Sequence, residues 1–248
     1  KKKDYKDSDV RLKAIQKVDD LFHKARAYQK LKENQSSSYR HDLRLDGMLP
    51  VITGDIPVLI HANEVRQIEA AVYWADRQNV QMVLVGGKDS WRVTKLLKER
   101  DIPVIYTQTH SIPMRRFERY DQSFITPSKL YEAGVQFCIS NSESSFQTPH
   151  IRNLPYHAAK AASYGLPPEQ ALRSITLSVA EIFGVSELVG SLEVGKDATL
   201  FIANGDILDV RSRVNKAFIQ GKEVDINDRH KMLDLKYRTK YQQQGILK

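Results

Sequence analysis

Four short hydrophobic segments recur between residues 57 and 140, and each is apolar at consecutive positions rather than at alternate ones. A strand that is apolar on both faces is typical of a parallel sheet, because helices cover one face and the core covers the other. The segments are 57–62 (PVLIHA), 82–87 (MVLVGG), 103–108 (PVIYTQ) and 135–140 (VQFCIS). They predict four successive strand–helix units in one parallel sheet.

The stretches between these segments carry helix signals. Residues 63–79 place a set of hydrophobic side chains on one helical stripe: Val65, Ile68, Val72 and Ala75. After the second segment, Asp89 or Ser90 is expected to cap a helix. Before the fourth segment, residues 126–128 (TPS) predict an N-cap followed by a proline in the first turn, so a helix is expected to begin there.

The regions on either side of the sheet have different patterns. Residues 9–34 place apolar side chains at helical spacing among many charges, and the polar run 33–38 (ENQSSS) then indicates a surface loop. Two further helices are predicted over 154–164 and from 167 to 184. From about residue 190, short hydrophobic runs (Leu192 and Val194, then 198–203 and 210–223) alternate with turn residues and predict the strands of a small β domain.

The net charge of +8 raises the question of nucleic-acid binding, but the distribution of the charge argues against it. Basic residues gather at 1–3 and 231–248, and elsewhere they alternate with acids. No stripe of Lys and Arg is interleaved with aromatic residues, so nucleic acid is not expected as a partner. No apolar stretch approaches the roughly 20 residues of a membrane span. The only cysteine, Cys138, lies in an apolar run, which predicts a buried structural thiol.

Two longer motifs resemble a known family. Residues 190–206 (GSLEVGKDATLFIANGD) are similar to the stretch by which amidohydrolase-superfamily enzymes leave their barrel and re-enter a β-sandwich domain. Residues 153–184 (NLPYHAAKAASYGLPPEQALRSITLSVAEIFG) resemble the helices that follow the last barrel strand in that superfamily, in particular in its imidazolonepropionase- and prolidase-like branch of bacterial enzymes. The resemblance implies a metal-dependent (β/α)₈ TIM barrel that hydrolyses C–N bonds, with catalytic residues at the C-terminal ends of the strands.

The resemblance also implies a domain organisation. The four predicted strands match strands five to eight of the superfamily's barrel, so residues 1–188 are expected to form the C-terminal half of the barrel. Residues 189–226 are expected to form the small β-sandwich segment, and 227–248 a polar C-terminal tail or helix. The N-terminal half of the same enzyme is then expected as a partner, either as a separate chain or as a missing segment, and homo-oligomerisation is also expected. The bacterial cytoplasm and the periplasm both remain open as the compartment.

His61 is the residue that matches a metal ligand of the superfamily, because it falls at the end of the strand that corresponds to the fifth. A divalent metal, zinc in particular, is the implied cofactor, and a catalytic zinc takes three protein ligands. The chain has no His-x-His pair, and Gly86-Gly87 stand where a second histidine belongs in the family. From the residues alone, a histidine beside an apolar run is more often satisfied in the core, and the resemblance to the family makes the two interpretations of His61 about equal.

The remaining candidate site residues lie in loops beyond the third and fourth segments. Asn141 and Glu143 stand where the superfamily keeps an aspartate that binds metal and moves the proton, and Glu143 is either that proton shuttle or a solvated loop residue. His110 is a candidate substrate contact or an ordinary surface histidine. Arg152 is a candidate for bidentate binding of a substrate carboxylate, or else a surface or capping residue.

Two functions follow from these observations. The first is hydrolysis of a C–N bond in a small-molecule amide substrate, which requires the missing N-terminal half. The second is a metal-free, degenerate amidohydrolase fold that binds a ligand without hydrolysing it. The replaced histidine and aspartate favour the second function, and the two motifs favour the first.

Overall fold

The computed structural model describes residues 2–34, 38–113, 115–141 and 146–246, with side chains from residue 10 onward. Its centre is a four-stranded sheet whose strands follow one another in chain order and are all parallel. The strands are β1 (Val58–Ala62), β2 (Met82–Gly86), β3 (Val104–Tyr106) and β4 (Phe137–Ile139). The four predicted parallel strands are therefore confirmed, with ends that shift by one or two residues.

The helices among the described residues precede, connect and follow these strands along the chain. They are α1 (Lys2–Glu33), α2 (Leu43–Asp46), α3 (Leu49–Thr53), α4 (Val65–Gln78), α5 (Thr94–Glu99), α6 (Gln122–Glu132), α7 (Leu154–Ala162), α8 (Pro168–Ser174), α9 (Leu177–Ile182) and α10 (Arg229–Gln243). Short 3-10 turns cover Ser90–Arg92 and Thr148–Asn153. No helix in this part of the chain is long and apolar enough to cross a bilayer.

The two faces of the sheet are covered to different extents. One face carries Leu84, Val104 and Ile139, which pack with buried residues of α4, α5, α6 and α7 into the main hydrophobic core. The opposite face carries a much smaller cluster, in which Val83, Val85, Ile105 and Cys138 contact Ile182 of α9. Cys138 is thus the buried thiol that its apolar context predicts, and burial raises the pKa of its thiol to about 12.

The smaller cluster does not extend to β1, which is an edge strand of the sheet. His61 pairs with Val85, which pairs in turn with Ile105, so their side chains lie in one row on the same face. Leu59 on the same face of β1 is 44% exposed, and His61 is also exposed. The face that would form the interior of a closed barrel is therefore open to solvent at β1.

Helix α6 begins four residues before the predicted N-cap at 126–128, so that prediction is wrong. Pro127 lies inside the helix and has no amide hydrogen to donate to the carbonyl of Ser123. That carbonyl accepts a hydrogen bond from the hydroxyl of the buried Tyr106 at 3.0 Å instead. The helix therefore tolerates an internal proline because β3 supplies the missing donor.

Asp89 precedes a 3-10 turn, but its side chain does not cap it, contrary to the sequence prediction. Its carboxylate accepts hydrogen bonds from both terminal nitrogens of Arg115 at 2.8 Å and from the backbone N–H of Val65 at 3.3 Å. Asp89 is 2% exposed, and a buried carboxylate needs such partners more than a helix end needs a cap. The residue thus connects α4 to the loop after β3.

The C-terminal region forms a separate three-stranded antiparallel sheet of β5 (Leu200–Ala203), β6 (Val214–Ile219) and β7 (Lys222–Val224). The small β region is therefore confirmed, except that Leu192 and Val194 lie in exposed turns rather than in a strand. The polar tail forms α10, which begins after Asp228, whose side chain accepts from the backbone N–H of Lys231.

Candidate functional site

A cavity of about 430 Å³ opens beyond the C-terminal end of β3. This volume falls within the range of sites that bind small molecules. The cavity is built by the loop after β3 and by the segment that leads into α7. Its lining residues are Thr107, Gln108, His110, Ser111, Phe146, Gln147, His150, Asn153 and His157.

Two histidines from different elements form one wall of the cavity. His110 comes from the loop after β3, and His157 comes from the first half of α7. Their rings stack with centroids 4.1 Å apart and planes 19° apart. His157 is 8% exposed, and its Nδ1 is buried without a hydrogen-bond partner among the described residues. A buried polar atom without a partner is costly, which makes it a candidate for contact with a ligand.

Both imidazoles are held in their neutral form. Burial lowers the pKa of His157 to about 4, with a further contribution from His110. Partial burial and the positive charge of Lys160 lower the pKa of His110. The ammonium of Lys160 itself lies over the rings of Phe124 and Tyr164, at 4.5 and 5.0 Å from their centroids. These two imidazoles are therefore uncharged at neutral pH, while the positive charge of Lys160 acts on His110.

The loop that carries His110 is fixed to the sheet by an ion-pair network. Arg115 contacts Asp89 at 2.8 Å and Glu118 at 2.6 Å. The ammonium of Lys88 donates to the carbonyl of Ile112 at 3.0 Å. Nearer to the cavity, the hydroxyl of Ser111 donates to the side-chain carbonyl of Gln108 at 2.7 Å. These contacts position the cavity wall from residues at and after the C-terminal end of β2.

The sequence-predicted site residues are distributed unevenly around this cavity. His110 lines the cavity. Arg152 is exposed on the 3-10 turn before α7 and is not among the lining residues. Asn141 follows β4, and both polar atoms of its side-chain amide are buried without a partner among the described residues. Glu143 lies outside the described residues. His61 lies two strands away on β1, about 10 Å from β3 at the usual strand spacing.

His157 was not singled out by the sequence, although a signal for it exists. It stands in the run LPYHAAKAA, where its neighbours Ala158 and Ala161 are fully buried. A histidine on the buried face of a helix of small residues is a polar group that needs a partner. Its stacking on His110, by contrast, is a tertiary contact that helical spacing does not predict.

A metal does not fit the described residues of this chain by themselves. Within those residues, no three side chains of His, Cys, Asp or Glu come together as a metal-binding group. Next to His61, the end of β2 offers Gly86. Asn141, which follows β4 at the other edge of the sheet, offers an amide where a carboxylate would bind a metal more strongly. Gly86 also leaves little room, because a Cβ there would lie 2.7 Å from Oδ1 of Asn63.

Comparison with known proteins shows what this chain is similar to. The sequence profile of the Amidohydrolase family matches residues 118–224. A curated relative, the amidohydrolase tasK of Hapsidospora irregularis, is 29% identical over 99 residues, which are 39% of this chain and 10% of that protein. An amidohydrolase structure from Thermotoga maritima MSB8 is 27% identical with a TM-score of 0.73, and the match covers 85% of this chain and 55% of that one.

More distant structures share the fold alone. A prolidase in complex with N-methylphosphonate-L-proline has 20% identity and a TM-score of 0.54, with 70% of this chain and 46% of that one covered. A zinc-bound adenosine deaminase from Xanthomonas campestris has 19% identity and a TM-score of 0.55, with 81% and 54% covered. The chain spans about half the length of these solved structures.

Residues 118–224 are therefore similar to the Amidohydrolase family, and most of the chain is similar to an amidohydrolase structure. The resemblance to the amidohydrolase superfamily that residues 153–184 and 190–206 indicate is confirmed, and a prolidase is among the structures that share the fold.

Proposed function

We propose that this chain is part of an amidohydrolase-type enzyme that hydrolyses a C–N bond in a small-molecule amide. The observation that carries the proposal is the position of the cavity. In barrels of parallel strands, substrates bind at the C-terminal ends of the strands, and the cavity lies beyond that end of β3. His61 lies at the same end of β1, and the superfamily is one of hydrolases.

The proposal includes a second half of the barrel. Strands β1 to β4 would be strands five to eight of a (β/α)₈ barrel, and the N-terminal half, as a separate chain or segment, would pair with the open edge of β1. The exposed Leu59 and His61 support this arrangement, because they lie on the face that a closed barrel buries. The accompanying division is a barrel half at 1–188, a β-sandwich segment at 189–226 and a tail at 227–248.

The metal of such an enzyme would be zinc or another divalent cation. His61 would supply one imidazole, and the N-terminal half would supply the remaining ligands. When bound, the metal would polarise the amide carbonyl and lower the pKa of a bound water. Around it, this chain would bind and orient the substrate through the cavity residues, with His110 as a wall, and Asn141 and Glu143, which follow the last strand in the sequence, would be the candidates for moving the proton. No chemical step through a metal follows from the described residues alone.

A metal-free binding protein is the second candidate. It is favoured by Gly86 and Asn141, which stand in place of a histidine and an aspartate of the family. The two functions predict different compositions of the protein purified from its native source. The enzyme contains about one zinc ion per chain or more and hydrolyses members of a panel of small amides, and the binding protein does neither.

The experiment is elemental analysis of the native protein combined with that hydrolysis assay. We expect stoichiometric zinc that is lost in His61→Ala and retained in His230→Ala, which changes an exposed histidine on α10. Metal-free protein without hydrolysis would refute the enzyme and support the binding function. Zinc that persists in His61→Ala would refute the role of His61 as a metal ligand. The hydrolase function would then be decided by the hydrolysis assay on the same panel of amides.

A further inference from the structure

The loop between β5 and β6 contains a chemically labile pair of residues. Asn204-Gly205 is the only Asn-Gly pair in the sequence, it follows β5 directly, and both residues are exposed. The side-chain amide carbon of an asparagine is open to attack by the backbone nitrogen of the next residue. Glycine hinders this attack least, because it has no side chain and the widest backbone freedom.

Hydrogen bonds to Arg213 hold Asn204 in place while the loop is closed. The backbone N–H of Asn204 donates to the carbonyl of Arg213 at 3.0 Å, and its Oδ1 accepts from the backbone N–H of Arg213 at 2.7 Å. The glycine is also needed, since a Cβ at Gly205 would lie 2.9 Å from Oγ of Ser212. The closed loop therefore restrains the side chain against ring closure and, at the same time, requires the labile pair.

The part of the chain that closes this loop is weakly packed. Every residue of β5, β6 and β7 is exposed or half-buried, including Phe201 at 47% and Ile202 at 49% exposure. Segments with few buried apolar contacts open locally at a cost in free energy that is well below that of global unfolding. The hydrogen bonds to Arg213 thus protect Asn204 only during the fraction of time in which the loop is closed.

We propose that Asn204 is a site of spontaneous deamidation, and that opening of the loop between β5 and β6 controls its rate. In the open loop, the nitrogen of Gly205 bonds to Cγ of Asn204, the Cγ–Nδ2 bond breaks, and the N–H proton leaves with the amide group as ammonia. Water then adds to either carbonyl of the resulting succinimide and opens it to aspartate or isoaspartate. Solvent water is the only co-reactant, and neither the cavity beyond β3 nor a metal takes part.

The two products differ in what they do to the loop. Aspartate keeps the length of the backbone and offers a carboxylate oxygen to the N–H of Arg213. Isoaspartate carries the main chain through the former side chain, which lengthens the backbone by a methylene group and turns Oδ1 into a peptide oxygen. The lengthened chain does not restore both hydrogen bonds to Arg213, so isoaspartate makes the opening of the loop permanent.

The test is incubation of the folded 248-residue chain at mildly alkaline pH, followed by peptide mass mapping that distinguishes aspartate from isoaspartate. Asn227 is the internal control, because it is also exposed in a connecting segment but precedes Asp228 instead of a glycine. We expect Asn204 to be modified several-fold faster than Asn227, with isoaspartate among the products. An unmodified Asn204, or equal rates at the two asparagines, would overturn the proposal.

The role of the loop is tested by the dependence of the rate on opening. In the urea-unfolded chain, where the loop is always open, Asn204 should be modified roughly tenfold faster than in the folded chain. Arg213→Pro removes the N–H that holds Oδ1 and should bring the folded chain close to the faster rate. Arg211→Pro is the matched control, because the N–H of Arg211 donates to Asp209 in the same loop. The same rate in the folded and unfolded chains, or no change in a folded Arg213→Pro, would refute control by the loop. If Arg213→Pro fails to fold, the comparison of the folded and unfolded wild-type chains decides.

The effect on the fold is measured by amide hydrogen exchange of β5 before and after the incubation. We expect faster exchange of Leu200–Ala203 in molecules that carry isoaspartate. Exchange should be unchanged in Asn204→Asp, which has the charge of the aspartate product without the lengthened backbone. Unchanged exchange in the isoaspartate form, or equally fast exchange in Asn204→Asp, would contradict opening of the loop by the lengthened backbone.

Discussion

Tyr106 connects β3 to the internal proline of α6, and its replacement by phenylalanine probes that connection. Tyr106 is fully buried, and burial raises the pKa of its phenol far above the usual value. Its hydroxyl donates to the carbonyl of Ser123, which Pro127 leaves without a helical donor. Tyr106→Phe removes one hydroxyl, keeps the ring and leaves a buried carbonyl without its partner.

The magnitude follows from that geometry. A net hydrogen bond contributes about 1 kcal/mol, and a buried carbonyl left unpaired costs about 1–3 kcal/mol. We expect the free energy of unfolding to fall by about 2 kcal/mol. In urea, with a slope near 2 kcal/mol per M, the midpoint should move down by about 1 M with an unchanged slope. Tyr73→Phe is the control, because Tyr73 is 71% exposed and should change stability by less than about 0.5 kcal/mol.

A double-mutant cycle tests the cause. Pro127→Ala restores an amide hydrogen that can bond the Ser123 carbonyl, so Tyr106→Phe should cost less in that background. We expect a coupling free energy of about 1 kcal/mol between the two positions, measured by urea unfolding of the four proteins. Additive effects, or a Tyr106→Phe variant as stable as the wild type, would refute the role of this hydrogen bond.

Three further predictions concern the ion pair of Asp89 with Arg115, the exposed edge strand β1, and the packing of Gly190 against α9. Burial opposes ionisation of Asp89, but the hydrogen bonds and charge of Arg115 outweigh it and lower the pKa of the carboxyl. The stability that this carboxylate contributes is fully present above its pKa in the unfolded chain, about 4, and is lost as the pH falls through the lowered pKa of the folded protein. In Asp89→Asn, the free energy of unfolding should therefore depend less on pH in this acid range. The isolated chain should self-associate through the exposed edge strand β1. In analytical ultracentrifugation, Leu59→Lys should shift the chain towards monomer, whereas Tyr73→Lys should not. An unchanged distribution of species in Leu59→Lys would contradict association through β1. Gly190 has φ +102°, and a Cβ there would lie 2.8 Å from a neighbouring Cβ, so Gly190→Ala should lower stability by about 1–3 kcal/mol in thermal unfolding.

The sheet was predictable from the sequence because β2, β3 and β4 are buried on both faces and are therefore continuous apolar runs. The exposure of one face of β1 was not predictable, since its sequence is similarly apolar. The start of α6 was not, since residues 126–128 carry the residue types of a helix N-terminus while a tyrosine from another strand stabilises the proline inside the helix. Asp89 likewise has the local signature of a cap. Its actual partner, Arg115, is a tertiary contact across a loop that no local pattern indicates.

The candidate site was also predictable only in part, because some of its contacts are tertiary and no local sequence pattern indicates them. The position of His110 after β3 follows from the strand pattern, because loops at the C-terminal end of a parallel sheet are where ligands bind. The stacking of His110 on His157 depends on how α7 packs, which spacing along the chain does not encode. Arg152 had a suitable charge, but its turn places it on the surface.

Hydrogen–deuterium exchange of the β1 backbone tests most directly whether this sheet is part of a larger barrel. The amides of Val58–Ala62 are compared between the isolated chain and the protein purified from its native source, with Met82–Gly86 in the sheet interior as the reference. We predict that β1 amides facing away from β2 exchange rapidly in the isolated chain and become as protected as those of β2 in the native protein. Equal, rapid exchange of β1 in both preparations would contradict a completed barrel.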